Sequence, residues 1–304
     1  MDRRAFLGVV GVGGVGLLGW ATGCVPIAPV AGGPGGGVVP EPVPQQALDV
    51  TADLVVPATG GGSVVVHAAA GIVVWQPPGG GAPITVGSPG QGAGQLGYPV
   101  DVHVGATGEF TVVDLGNRRV ARFGPDGAAL GDFGAAQLQG PRALAVDASG
   151  QRWVCDSVGH AIVVFGADGQ MVLRFGEQGD GATQLDTPRD VALDDGDLVY
   201  VADAGHGRVQ VYDRRGTHVR TIGSYGAGPG QLRVPRSLVL AGGKLFVADA
   251  VGGAIHVFDL DGTFVERRTV DLAGVAAQPL AINGNADVSA PLTVHAVAMA
   301  SAAT

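Results

Sequence analysis

Gln184-Leu185-Asp186-Thr187-Pro188 opens the stretch that decides the fold, because its landmarks recur along the chain. After Pro188 come an apolar run, a turn and a second apolar run ending in Asp203. Six residues on stands Val209, three further Tyr212, and Arg215-Gly216 precedes a last short run. The same opening, Gln-Leu-x-x-Pro, recurs at Gln95–Pro99, Gln137–Pro141 and Gln231–Pro235. The aspartates that close these units are Asp114, Asp156 and Asp249, so the steps through Asp203 are 42, 47 and 46 residues. Val120, Ile162 and Ile255 take the place of Val209, and Phe123, Phe165 and Phe258 that of Tyr212. Asp126-Gly127, Asp168-Gly169 and Asp261-Gly262 stand where Arg215-Gly216 does, and Asp-Gly between alternating runs is a strong hairpin signal.

A four-strand unit of about 40–50 residues is the size of one propeller blade. A shift of 48 residues finds a fifth unit, in which Asp53-Leu54-Val55 matches Asp101-Val102-His103 and Ile72–Trp75 matches Val120–Phe123. A sixth, weaker copy begins at Gln278-Pro279-Leu280 and runs out at Thr304, short by one strand. The segment near Ala47–Thr51 is expected to supply that strand and close the ring, so that no sheet edge stays unpaired. Within strands the period is two: Val209 and Val211, or Ile162 and Val164, should face a neighbouring blade, with Gln210 alternating between them. The expectation is an all-β, six-bladed β-propeller of four-stranded antiparallel blades over residues 47–304.

Composition agrees with a packed β protein. The 304 residues include 54 glycines and 19 prolines, yet 46% are hydrophobic and the mean hydropathy is +0.31. Only 15% are charged, well short of the usual quarter, which argues against a coiled coil or a charge-laced helical repeat. A net charge of −9 argues against nucleic-acid binding. Two cysteines, Cys24 and Cys155, make neither a disulfide framework nor a cysteine-based zinc site. Cys155, in a strand before Asp156, is expected to be a buried, inert thiol.

The repeats resemble NHL repeats. Four units carry the order Phe-Gly, Gly-Gln-Leu-x-x-Pro, Val-x-Asp and Asn-x-Arg-Val in whole or part. Asn117-Arg118-Arg119-Val120 keeps the last motif, Arg208-Val209 keeps its second half, and the units at Ala161 and Ala254 lack the arginine. The resemblance implies a six-bladed β-propeller.

The first residues read as an address. Arg3 and Arg4 precede 19 uncharged residues, Ala5 to Gly23, in the manner of a secretory signal. Asp2–Leu7 resembles the twin-arginine export motif, and Ala21-Thr22-Gly23-Cys24 resembles a bacterial lipobox with alanine where leucine is usual. Residues 1–24 are thus expected to be a signal peptide, with Cys24 lipidated; an uncleaved membrane anchor is the competing reading. Residues 25–46, with six prolines and five glycines, read as a tether. The implied place is the bacterial cell envelope, periplasmic or surface-facing, on a membrane.

In such a blade the residue after each repeat proline shares a face with the loop after each repeat aspartate. That places Arg142, Arg189 and Arg236, with Val100 and Leu280 at matching points, near the mouth of the channel. Guanidinium forks bind carboxylate or phosphate bidentately, so the three form a candidate anion site; the competing reading is that each pairs within the repeat as a fixture. The repeat aspartates read as structural, each bonding its own turn, with calcium as the lesser alternative. The NHL-propeller amidating lyases bind zinc through histidines of several blades, but His67, His103, His160, His206, His218, His256 and His295 occupy no matching positions. No metal ligand, cofactor or catalytic residue is assigned, and no nucleophile motif occurs. Gly11–Gly16 mimics a dinucleotide loop but lies inside the leader, with no strand before it. The expected function is a monomeric binding or scaffold module for a protein or small anionic ligand. A propeller lyase or hydrolase with a divalent metal in the central channel is the alternative.

Overall fold

The protein divides into Met1–Val50 and Thr51–Thr304. A computed structural model describes residues 54–57, 62–77, 79–251 and 253–269. The expected signal, lipidation site, tether, closing strand and sixth copy lie outside the described residues.

Within them stand five four-stranded antiparallel sheets, each built in chain order from neighbouring strands. Blade I holds β1 (Leu54–Pro57), β2 (Ser63–His67), β3 (Ile72–Gln76) and β4 (Ile84–Val86). Blade II holds β5 (Pro99–Val104), β6 (Phe110–Asp114), β7 (Arg119–Phe123) and β8 (Ala129–Phe133). Blade III holds β9 (Pro141–Val146), β10 (Arg152–Asp156), β11 (Ala161–Phe165) and β12 (Met171–Phe175). Blade IV holds β13 (Pro188–Leu193), β14 (Leu198–Asp203), β15 (Arg208–Asp213) and β16 (His218–Ile222). A short parallel pair, β17 (Ser224–Tyr225) and β18 (Gln231–Leu232), leads into blade V. That blade holds β19 (Pro235–Ala241), β20 (Lys244–Asp249), β21 (Ala254–Asp259) and β22 (Phe264–Thr269). The fold is a β-propeller, as the repeat arithmetic requires.

Blades stick to each other through apolar faces, and the repeat leucine plugs each seam. Val64, Val66 and Val73 of blade I meet Val102, Val112 and Phe123 of blade II around Leu96. Leu138, Leu185 and Leu232 do the same at the next three seams. Each is fully or almost fully buried, which stabilises by about 1.5–3 kcal/mol per side chain. The middle strands are covered on both faces, so side chains alternate in direction without alternating in burial. Gln210 is as buried as Val209 and Val211. Its amide donates to the Ala182 carbonyl, and its oxygen accepts from the Thr221 hydroxyl.

The glutamine of Gln-Leu-x-x-Pro shapes the linker between blades. Gln95, Gln184 and Gln231 each accept, through Oε1, the N–H of the glycine three residues before. The side chain folds over Gly90, Gly179 or Gly226, whose φ values are +143°, +155° and +155°. A Cβ at those glycines would lie 2.1–2.4 Å from the glutamine Oε1, so only glycine fits there.

Candidate functional site

The repeat aspartates anchor the face on which the candidate arginines stand. Asp114, Asp156, Asp203 and Asp249 are at most 2% exposed. They reach back to one or both of the residues before the repeat proline rather than to their own turn alone. Asp114 accepts the N–H groups of Gly97 and Tyr98 at 2.9 and 3.0 Å, and Asp156 those of Gln139 and Gly140 at 2.9 and 2.6 Å. Asp203 accepts from Asp186, and Asp249 from Arg233 and Val234. A carboxylate with two or three N–H donors is a strong, charge-assisted clasp, which accounts for the repetition without a metal. The bond to the residue two positions on belongs instead to the hairpin aspartates: Asp126, Asp168 and Asp261 accept from Ala128, Gln170 and Thr263.

Two of the four clasps carry an arginine. Arg119 lies 3.5 Å from Asp114 and donates to the carbonyls of Gly92 and Gln95. Arg208 bonds Asp203 at 2.8 Å and donates to the carbonyls of Gly181 and Gln184. The motif arginine thus ties the clasp to its linker. At Ala161 and Ala254 that tie is missing.

The candidate arginines sit at irregularities in the inner strands. Asp114 pairs with Pro99 but Val113 with Asp101, so Val100 is skipped in the register. The same slip skips Arg142 in blade III and Arg236 in blade V, and in blade IV it falls between Pro188 and Val191, at Arg189. A bulge leaves one residue out of the ladder and re-aims its side chain. Arg142, Arg189 and Arg236 therefore occupy equivalent bulges at one end of three neighbouring inner strands. All three are half-buried, and each already engages a protein partner.

Next to these bulges lie aspartates that the sequence reading passed over. Asp101 accepts the N–H of Val102 and, across the seam, that of Leu144 in blade III, both at 2.8 Å. Asp190 accepts the N–H of Val191 at 2.8 Å and that of Leu238 in blade V at 2.7 Å. Both are staples between inner strands. The signal was available: Asp101 and Asp190 share one repeat position, where blades III and V have Ala143 and Ser237. Asp190 is half-buried as a residue, but its carboxyl end is enclosed. That enclosure pushes it up to about 7, against the pull of the Leu238 and Val191 amides and the Ser237 hydroxyl. The Cys155 thiol, buried in blade III, is pushed up by burial and then by Asp190 and Asp156, with Arg189 and Arg142 opposing. One thiol thus senses Arg142, Arg189 and Asp190 together.

The described histidines do not converge. His206 pairs through Nδ1 with Asp203 at 2.8 Å, His160 accepts the Thr187 N–H, and His218 meets Gln210. His103 is held below the ordinary imidazole range by burial and by Arg152, and His256 by burial, partly offset by Asp249. Among the described residues no group of three or more His, Cys, Asp or Glu side chains is placed to hold a metal ion.

Comparison with known proteins agrees with this architecture. The NHL repeat family matches residues 185–212, the stretch from the seam leucine to Tyr212. No curated protein matches the sequence significantly. Among solved structures, a streptogramin B lyase is similar over 73% of this chain and 70% of its own, at 13% identity and a TM-score of 0.60. Virginiamycin B lyase from Staphylococcus aureus, solved with quinupristin, is similar over 74% and 72%, at 12% identity and a TM-score of 0.60. A chain of a nidogen/laminin complex covers 72% of this chain and 81% of its own, at 16% identity and a TM-score of 0.55. At such identities the likeness is one of fold. The chain is a β-propeller protein that carries the NHL repeat.

Proposed function

We propose that this protein is an exported binding module, held to a membrane through lipid on Cys24, whose propeller takes an anionic ligand at the channel mouth through Arg142, Arg189 and Arg236. One observation carries the reading. Some ties between blades alternate along the ring, as those of Arg119 and Arg208 or Asp101 and Asp190 do. The bulge arginines run through three consecutive blades whatever else those blades contain. Two of them act on one buried thiol, which places their charges in one neighbourhood. A small carboxylate or phosphate, or an acidic segment of a protein, is the matching chemistry.

Thermal melts of the wild type and Arg189→Ala, each with inorganic phosphate, citrate or an acidic peptide, test the site. The expected result is an anion-dependent rise in the wild type that the variant loses, with little change in the unliganded melt. A large drop without any anion effect makes the arginines ring fixtures and ends the reading. Export and lipidation are tested by Cys24→Ser, which should leave the membrane fraction and lose the acyl mass. A stoichiometric divalent metal in the purified protein would favour the lyase or hydrolase alternative.

A further inference from the structure

The linker into blade V borders a second candidate site. Three linkers share one backbone course, with Pro89 paired to Leu96, Gln178 to Leu185 and Tyr225 to Leu232. In the first two, the loop after the repeat aspartate closes on the linker through a glycine. A Cβ at Gly116 would lie 2.7 Å from the Gly97 carbonyl carbon, and one at Gly205 only 2.2 Å from Asp186 Oδ2. Neither loop has room for a side chain. In blades III and V the matching residues are Val158 and Val251. The blade V loop still closes on the linker, the Ala250 N–H donating to the Val234 carbonyl at 3.1 Å. Beside it lies an open cavity of about 410 Å³ lined by Tyr225, Gly226, Ala227, Arg233, Val234 and Val251.

The walls specify a ligand. Tyr225 is 69% exposed and Val251 57%. One edge of the Tyr225 ring lies beside the blade IV loop, where a Cβ at Gly207 would come within 3.0 Å of its Cδ2. Its remaining surface is free to receive a flat group. Arg233 is exposed, and among the described residues nothing accepts a hydrogen bond from its guanidinium. Its main chain is held by the Asp249 clasp, which fixes where the side chain starts. An aromatic wall, an aliphatic wall and a planar cation around a space of small-molecule size describe a receptor for a flat apolar acid.

We propose that this cavity binds an aromatic carboxylate, with the ring between Tyr225 and Val251 and the acid on Arg233. The site does not depend on the three bulge arginines. Its test uses the full-length chain in detergent, with biphenyl-4-carboxylate, biphenyl-4-methanol and acetate as probes and calorimetry or saturation-transfer NMR as readout. The carboxylate is expected to bind at least about tenfold more tightly than the alcohol, the size of one charge-assisted pair, and acetate to bind weakest. Arg233→Gln should erase the preference for the acid, while Tyr225→Ala and Val251→Ser should weaken both aromatic probes. Arg189→Ala should leave all three unchanged, which separates this site from the channel mouth. Equal affinity for acid and alcohol, or binding indifferent to Tyr225→Ala, overturns the proposal. So does a loss seen with Arg189→Ala but not with Arg233→Gln.

Discussion

Blades II and IV differ from blades III and V in what they contribute to their neighbours. Blade II supplies Arg119, which grips the linker entering it, and Asp101, which staples it to blade III. Blade IV supplies Arg208 and Asp190 in the same two roles. Blades III and V have Ala161 and Ala254, Ala143 and Ser237 at those positions. The seam from III to IV is instead crossed by the Ser157 hydroxyl, which donates to the Pro188 carbonyl. A blade flanked by well-armed neighbours is held at both seams and loses its own ties at little cost. In a repeat protein the unit of selection for stability is the seam, so a degenerate repeat need not be a weak one.

The largest expected effect contrasts the two kinds of clasp. Asp203 holds a backbone N–H, the His206 ring and the Arg208 guanidinium, all at 2.8 Å. Asp203→Ala strands a half-buried cation along with the amide, and breaking a buried pair from one side costs about 3–5 kcal/mol. Asp156 holds only the amides of Gln139, Gly140 and Gly159. Asp156→Ala should cost less, about 1–3 kcal/mol, the penalty for leaving buried donors unmet. Urea unfolding of the two variants measures the gap. Equal losses would mean that Arg208 adds nothing to its clasp and that complete and reduced blades are energetically alike.

A smaller effect belongs to the staple from blade IV to blade V. The folded Asp190 carboxyl keeps its proton up to about 7, whereas the ordinary value is 3.8. Between those values the folded state binds more protons than the unfolded chain, so stability falls as pH rises through the window. Asp147 titrates lower than normal, its burial outweighed by hydrogen bonds from Ser149 and Trp153, so its own contribution changes below the window. With the half-burial of Asp190 discounting the shift, its own contribution, read from urea midpoints as the wild type against Asp190→Asn, should fall by about 2 kcal/mol between pH 5 and 7.5. His103, His218 and His256, held below the ordinary imidazole range, have the opposite trend. Asp190→Asn, neutral throughout, lacks the Asp190 contribution. A difference between the two that stays constant with pH assigns the pH dependence to other groups.

Most of the ring was legible because its determinants are local and repeated. Proline, seam leucine, clasp aspartate and Asp-Gly turn each fix a strand end or a turn, and each repeats at blade spacing. Gln210 alternates with Val209 and Val211 as period two requires, but the alternation does not tell that its own face is covered too, because a middle strand between two blades has no wet side. The staples were missed because Asp101 and Asp190 look like ordinary polar positions until the neighbouring inner strand lies beside them. The cavity at Tyr225 was missed for a different reason. It is lined by Tyr225 and Val251, at positions whose residue differs between blades, and a search for agreement between repeats passes over such differences. Arg142, Arg189 and Arg236 were legible as a set, but their bulged geometry was not, because register is a property of the pair of strands and not of either one.

The smallest expected effect concerns a position at which complete and reduced blades do not differ. The second residue of each described outer strand from blade II onward is aliphatic and open to solvent: Leu130 at 52%, Val172 at 55%, Val219 at 46% and Val265 at 44%. These strands have no partner on their outer side within their sheets. Edge strands commonly carry lysine there to prevent edge-to-edge pairing. Lysine at Val172, in a reduced blade, or at Val219, in a complete one, removes little buried surface, so each should shift stability by about 0.5 kcal/mol or less. The two shifts should also match, because the outer edge lies away from the clasps and staples that distinguish the blades. Urea midpoints for Val172→Lys and Val219→Lys give the comparison directly. A loss of more than about 1 kcal/mol confined to one blade would extend the alternation out to the rim, and the inner seams would no longer suffice to explain it.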